Sequence, residues 1–280
     1  MGLVAMEQIK FPKSRRVMND DLAYPILPFG MRAAIRMKAG PFSGDFIVTQ
    51  AEKKVPGLWG SIMCRKRYID DKVSETVENR EVEAVVNLGA GFDTRAYRLP
   101  SLAGLKVFEL DQPDSIDQKR RRLEKLFAKV PDHVTLIPMD FDYEYLGTAL
   151  ASNGWEADTK TFFIWEGVTQ YLSESGVRST FDFLSGSAPG SRMVFTYIRK
   201  DFLRGVNLYG LGFLHEKMVQ KEGIWLFGMN PEDVDGLLGE YGWRSLEHLG
   251  YEDLTGRYVE PTGRELLSMP IERIVYAEKL

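Results

Sequence analysis

The chain has 280 residues, 44% of them apolar, and its 36 Lys and Arg against 40 Asp and Glu leave a net charge of −4. That size suits one large α/β domain with insertions, and the balanced charge leaves no basic excess for nucleic-acid phosphates. A lone cysteine, Cys64, excludes an intrachain disulfide, and His133, His215 and His248 lack metal-ligand spacing, so no metal is expected. No apolar run approaches the ~18 residues of a membrane helix. Lys10, Lys13, Arg15 and Arg16 precede no long apolar segment, so a cytoplasmic chain without a secretory signal is expected.

Residues 1 to about 60 show little periodicity. Tyr24–Gly30 is a Pro-rich turn, Met31–Lys38 is helix-competent, and Pro41, Gly44, Pro56 and Gly57 break the remainder. Ser61–Asn79 predicts a helix, since Ile62, Tyr68 or Ile69, Val73 and Val77 fall at helical spacing. Glu83–Leu88 and Lys106–Leu110 are continuous apolar runs, as expected of strands buried on both faces. Asp114–Lys129 is a charged amphipathic helix, and Val134–Met139 is a third strand.

Tyr143–Leu150 is a short helix, and Thr161–Trp165 a fourth strand. Ser173 is placed to cap a helix through Leu184, and Arg192–Ile198 is a fifth strand. Asp201–Glu222 interrupts the alternation as a mostly helical insertion. Pro231 opens a helix to Tyr241, with Asn230 as its cap. Trp243–Leu249 and Arg273–Ala277 are two late strands joined by a loop. Alternating strands and helices predict a mainly parallel, doubly wound sheet.

In such sheets ligands sit outside the carboxyl ends of the strands. Four successive strand ends here carry Gly89-Ala90-Gly91, Asp111-Gln112, Asp140-Phe141 and Glu166-Gly167. A nucleoside needs a close backbone, an acid for the ribose diol and a clamp for the base. The glycine turn, Asp111 and Asp140-Phe141 answer those needs in that order. A dinucleotide fingerprint wants a third glycine, where Thr94 stands, and Asp93 sets a negative charge where a pyrophosphate would lie. An NAD oxidoreductase is thereby disfavoured. S-adenosylmethionine, which has no phosphate but carries a sulfonium and an amino-acid tail, fits better.

The stretch Leu88-Gly89-Ala90-Gly91-Phe92-Asp93-Thr94-Arg95-Ala96-Tyr97-Arg98-Leu99 resembles the leucine carboxyl methyltransferase family. That family includes protein phosphatase methyltransferases and bacterial polyketide-type O-methyltransferases similar to the tetracenomycin carboxyl methyltransferase. Three further motifs carry the likeness: Glu109-Leu110-Asp111-Gln112-Pro113 with Lys119 downstream, Glu166-Gly167-Val168 with Tyr171-Leu172, and Arg65-Lys66 with Ile69-Asp70. Lys66 stands where the family usually has Thr, and the usual Asp-Pro segment upstream is not evident in residues 20–60.

The resemblance implies a class I, Rossmann-like methyltransferase fold with a seven-stranded sheet, N-terminal helices and a helical lid. It divides the chain into a cover (1–64), a cofactor-binding core (65–200), a lid insertion (201–230) and a C-terminal completion of the sheet (231–280). It also implies S-adenosylmethionine. Arg65 would meet the methionine carboxylate and Glu166 the amino group. Gly89 would line the methionine portion, Asp111 would hold the ribose, and Asp140 and Phe141 would flank the adenine, with Ala90, Gly91, Gln112 and Gly167 as further cofactor-binding residues.

A carboxylate acceptor needs no general base at neutral pH, whereas a phenol does. Tyr171 and His215 are the candidate catalytic side chains. Phe202, Leu203, Leu208, Tyr209, Leu211, Phe213 and Leu214 give the insertion an apolar character that suits an apolar or aromatic small-molecule acceptor. The expected function is O-methylation of a small-molecule carboxylate or hydroxyl. Methylation of a protein C-terminal carboxylate and non-catalytic cofactor binding are the alternatives.

Overall fold

A computed structural model describes residues 1–38, 52–141 and 143–280. The breaks expected at Pro41 and Gly44 lie outside these residues. Seven strands form one sheet: β1 (Ala84–Leu88), β2 (Lys106–Asp111), β3 (Val134–Pro138), β4 (Thr161–Trp165), β5 (Arg192–Ile198), β6 (Trp243–Leu249) and β7 (Glu272–Lys279). Their spatial order is β3-β2-β1-β4-β5-β7-β6. β1 to β5 run parallel, and β7 lies antiparallel between β5 and β6. Every residue of β1 and β4 is buried, which explains their uninterrupted apolar sequence.

Alternate residues of each strand feed opposite faces of the sheet. Val85, Val107, Phe162 and Ile274 pack on one side with Met63, Ile69 and Val73 of α3 (Leu58–Glu78) and with Ile116 and Leu123 of α5 (Pro113–Phe127). Val86, Phe108, Phe163, Trp165 and Phe195 pack on the other. There they meet α6 (Leu146–Ala151), α7 (Glu174–Ser185) and α10 (Val234–Glu240). Ser173 caps α7 as expected, its Oγ accepting from the Gly176 N–H at 3.1 Å. Cys64 is buried in α3, and burial pushes its thiol up to about 12, which keeps it unreactive.

The poorly periodic N-terminus is tied into this core. Glu7 of α1 (Gly2–Lys10) is fully buried and accepts from Trp59 Nε1 at 2.7 Å, the Val17 N–H at 3.0 Å and Arg264 Nη1 at 2.5 Å. The Arg264 guanidinium in turn stacks 3.6 Å from the Phe11 ring centroid. α2 (Phe29–Lys38) follows a run of turns across residues 21–27.

Two expectations need correction and a third needs detail. The connection before β7 is not merely a loop: it holds α11 (Tyr251–Tyr258), whose first turn is closed by Asp253 accepting from the Gly250 N–H at 2.8 Å. The insertion is helical only in pieces, α8 (Lys200–Leu203), α9 (Gly212–His215) and a wide π-type turn over Glu216–Lys221. Gly205 and Gly210, both at positive φ, separate α8 from α9. Asn230 does not cap the backbone after Pro231; its amide donates to Asp233 at 2.8 Å instead.

Candidate active site

The glycine turn and the acid on the next strand meet directly. Gly89 and Ala90 N–H donate to the Leu110 carbonyl, both at 2.9 Å, which holds the turn against β2. Gly91 N–H then donates to Asp111 Oδ2 at 2.6 Å, and Gln112 N–H to Asp111 Oδ1 at 2.8 Å. The Asp111 carboxylate is thus fixed in orientation while lone pairs remain for further donors. Gly89 has φ +73°, and a Cβ there would lie 2.3 Å from Val168 Cγ2, so no other residue fits.

Sequence order brings Asp140 and Phe141 just past β3, beside β2. The Asp140 N–H donates to Glu144 at 3.2 Å, and Phe141 packs against the α6 and α7 side of the core. Gln112 is exposed at the start of α5. Gly167, at φ +68°, donates its N–H to Thr196 Oγ1 at 2.9 Å, and a Cβ there would sit 3.5 Å from the Arg65 guanidinium. Tyr171 ends the turn Thr169–Tyr171 and is 44% exposed. His215 belongs to the packing of the insertion: its Nε2 lies 3.2 Å from the Leu203 carbonyl, and its ring meets Phe202 edge-on.

Glu166 is the hub of a buried ion cluster that no sequence spacing announced. It accepts from Arg65 Nε at 2.9 Å and Arg95 Nη1 at 2.7 Å, with Lys66 Nζ at 3.3 Å. Burial alone would raise the Glu166 carboxyl, but Lys66, Arg95 and Arg65 hold it well below its ordinary value. Asp93 shows the same contest: burial raises it, yet Arg95 and Lys66 bring it down to about 2. Arg65 Nη1 also reaches Glu272 at the start of β7, at 2.5 Å.

The cluster extends toward the N-terminal segment. Arg95 Nε and Arg98 Nη2 both bind Asp70, the former at 2.7 Å and the latter at 2.8 Å. Thr94, standing where a third glycine would be, donates to the buried Asp20 at 2.6 Å. Asp93 therefore does not present a bare charge to a ligand, because Arg95 neutralises it from two residues away. The case against a pyrophosphate rests instead on Thr94 and on a following helix, α4 (Arg95–Arg98), whose first N–H is already taken by Asp93 at 2.8 Å. The strand-end reading missed Lys66 and Arg95 as partners of Glu166, and Asp70, Asp93 and Glu272 as the other acids of its cluster. The first four stand inside the quoted motifs and were open to inspection, whereas Glu272 carried no local signal.

The sequence profile of the leucine carboxyl methyltransferase family matches residues 2–185. A Mycobacterium marinum protein, provisionally named as an S-adenosyl-L-methionine-dependent methyltransferase, is 32% identical over 197 residues, which is 70% of this chain and 64% of that protein. The chain thus spans a little under two thirds of that relative's length. A Thermobifida fusca crystal structure, provisionally titled a methyltransferase, superposes with a TM-score of 0.62 at 17% identity, covering 98% of this chain and 97% of its own. Magnesium protoporphyrin IX methyltransferase from Synechocystis PCC 6803, solved with bound SAH, gives 0.50 at 14% identity, covering 88% of this chain and all of that one (100%). The two structures bear out the class I methyltransferase fold. By its match to the family profile over two motif-bearing thirds of its length, the chain belongs to the leucine carboxyl methyltransferase family.

Proposed function

We propose that this protein binds S-adenosylmethionine at the strand ends and transfers its methyl group to an oxygen of a small-molecule carboxylate or hydroxyl. The observation that carries the reading is the joining of the glycine turn to Asp111 by the Gly91 N–H bond, directly beside the Glu166 cluster. In that cluster four cations (Arg65, Lys66, Arg95, Arg98) face five carboxylates (Asp20, Asp70, Asp93, Glu166, Glu272). The surplus is negative, and the cofactor, with sulfonium, ammonium and carboxylate, is a net cation. Both signs of its tail find partners there.

On this reading Arg65 takes the methionine carboxylate and Glu166 the ammonium. Asp111 accepts from the ribose, with Gln112 beside it, and Asp140 and Phe141 flank the adenine. Gly89, Gly91 and Gly167 keep side chains out of the methionine's path, and Ala90 adds only a methyl group. When bound, the cofactor supplies an electrophilic methyl on sulfur. The chain's own part is to orient the acceptor oxygen and exclude water.

The bond between His215 and the Leu203 carbonyl supports a route without a general base, and hence a carboxylate acceptor. Tyr171, five residues after Glu166 and open to solvent, is proposed to orient that acceptor. The exposed Phe213 and the insertion around it are proposed as its apolar cover.

Calorimetric titration with S-adenosylhomocysteine tests the site. The native chain should bind, and Asp111→Ala should bind about tenfold to a hundredfold more weakly, as loss of charged hydrogen bonds demands. Equal affinity in the two proteins would reject Asp111 as the ribose partner.

A further inference from the structure

A second concavity lies away from the glycine turn. α7, α10 and the segment 200–229 line an open cavity of about 860 Å³, within the ~300–1,000 Å³ of small-molecule sites. Its floor is apolar and aromatic, with Trp225, Phe227 and Leu237.

The charges on its rim differ in their commitments. Arg178 is held by Glu240 at 3.2 Å and Glu174 at 3.7 Å. Asp233 accepts from the neutral Asn230 amide and keeps its charge. Lys200 and Arg204 stand one helical turn apart along α8 and its end, both line the cavity, and neither enters an ion pair among the described residues. Glu232, like Asp233, enters no ion pair among those residues. The rim therefore carries two cations and two acids with no ionic partner among the described residues, and the two cations stand together on one helical turn beside an aromatic floor. That combination recognises a carboxylate carried on an apolar body: the cations take the charge, and the floor takes the body.

The cavity also shares a wall with the strand ends. Leu226 N–H donates to the Gln170 carbonyl at 2.6 Å, in the turn that follows Glu166.

We infer that this cavity is a binding site for a small organic carboxylate with an apolar or aromatic body. None of its lining residues belongs to the Glu166 cluster or the glycine turn, so the inference stands independently of the cofactor reading.

The test is isothermal titration of the full chain with 2-naphthoate and with its uncharged analogue, 2-naphthamide. The native protein should bind naphthoate at one site and naphthamide about tenfold more weakly. The double variant Lys200→Ala/Arg204→Ala, at partly exposed positions, should erase that preference while S-adenosylhomocysteine affinity stays as in the native chain. Gly236→Phe provides a second, independent check. Gly236 lines the cavity in α10, and a Cβ there meets nothing within 4 Å, so the ring can fill the space without displacing a neighbour. This plug should abolish binding of both naphthalenes. Failure of the native chain to bind naphthoate at millimolar concentration, a preference unchanged in the double variant, or full binding in the plugged variant would each overturn the inference.

Discussion

Glu109 and Lys119 face each other at 2.7 Å, carboxylate to ammonium, where neither side chain is more than 1% exposed. The Tyr97 hydroxyl completes the group by donating to Glu109 at 2.5 Å. Together they tie α4, β2 and α5 into one unit, with Asp111 two residues beyond Glu109. Burial pushes the Glu109 carboxyl up despite the pull of Lys119, so the ionised pair carries a desolvation cost. Removing one partner strands the other. Lys119→Met is expected to cost about 3 kcal/mol in urea unfolding, and the double variant Glu109→Gln/Lys119→Met appreciably less.

Gly89 allows a similar separation of causes. Gly89→Ala should destabilise the protein by at least about 2 kcal/mol, from the contact with Val168 and from a left-handed backbone. Adding Val168→Ala relieves the contact but leaves the ~1 kcal/mol backbone term. Thermal melts of the single and double variants should show partial, not complete, recovery.

Arg65 bridges two acids that belong to different parts of the chain, Glu166 and Glu272. A lysine reaches one carboxylate but has no planar fork for two. Arg65→Lys should therefore fold, and bind S-adenosylhomocysteine about tenfold more weakly by calorimetry. Native-like affinity in this variant would remove Arg65 from the proposed carboxylate contact.

Stability should fall with acid in two stages. His248 accepts at Nε2 from Tyr197 Oη at 2.8 Å and Arg273 Nε at 3.0 Å, and burial together with Arg273 lowers it from 6.5 to about 4. Between these values the unfolded chain takes up a proton that the native state refuses, so stability drops as pH falls from 6.5 to 4. The loss should be about 1–2 kcal/mol once solvent screening of this half-buried ring is allowed for. His248→Gln should flatten that limb in urea titrations at graded pH. Glu166 and Asp93, both held below their ordinary values, add a further loss as pH falls below 4.5 toward 2.

Much of the sheet was legible because parallel strands covered on both faces leave continuous apolar runs, as in Ala84–Leu88 and Thr161–Trp165. α11 was not, since it buries only Leu254 and so leaves no apolar stripe to find. The strand-end groups could be placed because each stands at the end of a continuous apolar run, Gly89 after Leu88, Asp111 after Leu110 and Glu166 after Trp165. The ion cluster could not, because Arg65 and Glu272 are 207 residues apart and no local spacing relates them. Asp93 is also misleading in sequence alone: it sets a charge where a pyrophosphate would lie, yet in the fold Arg95 neutralises it.

The insertion of β7 between β5 and β6 sets an order of events during synthesis. A nascent chain that has reached residue 271 has emerged with every glycine and acid of the strand-end site, yet β5 still has an open edge, β6 has no neighbour, and Arg65 lacks one of its two acids. The last eight-residue strand, Glu272–Lys279, supplies all three at once. Completion of the sheet and completion of the Arg65 bridge are therefore a single step, taken only once residues 272–279 have been made.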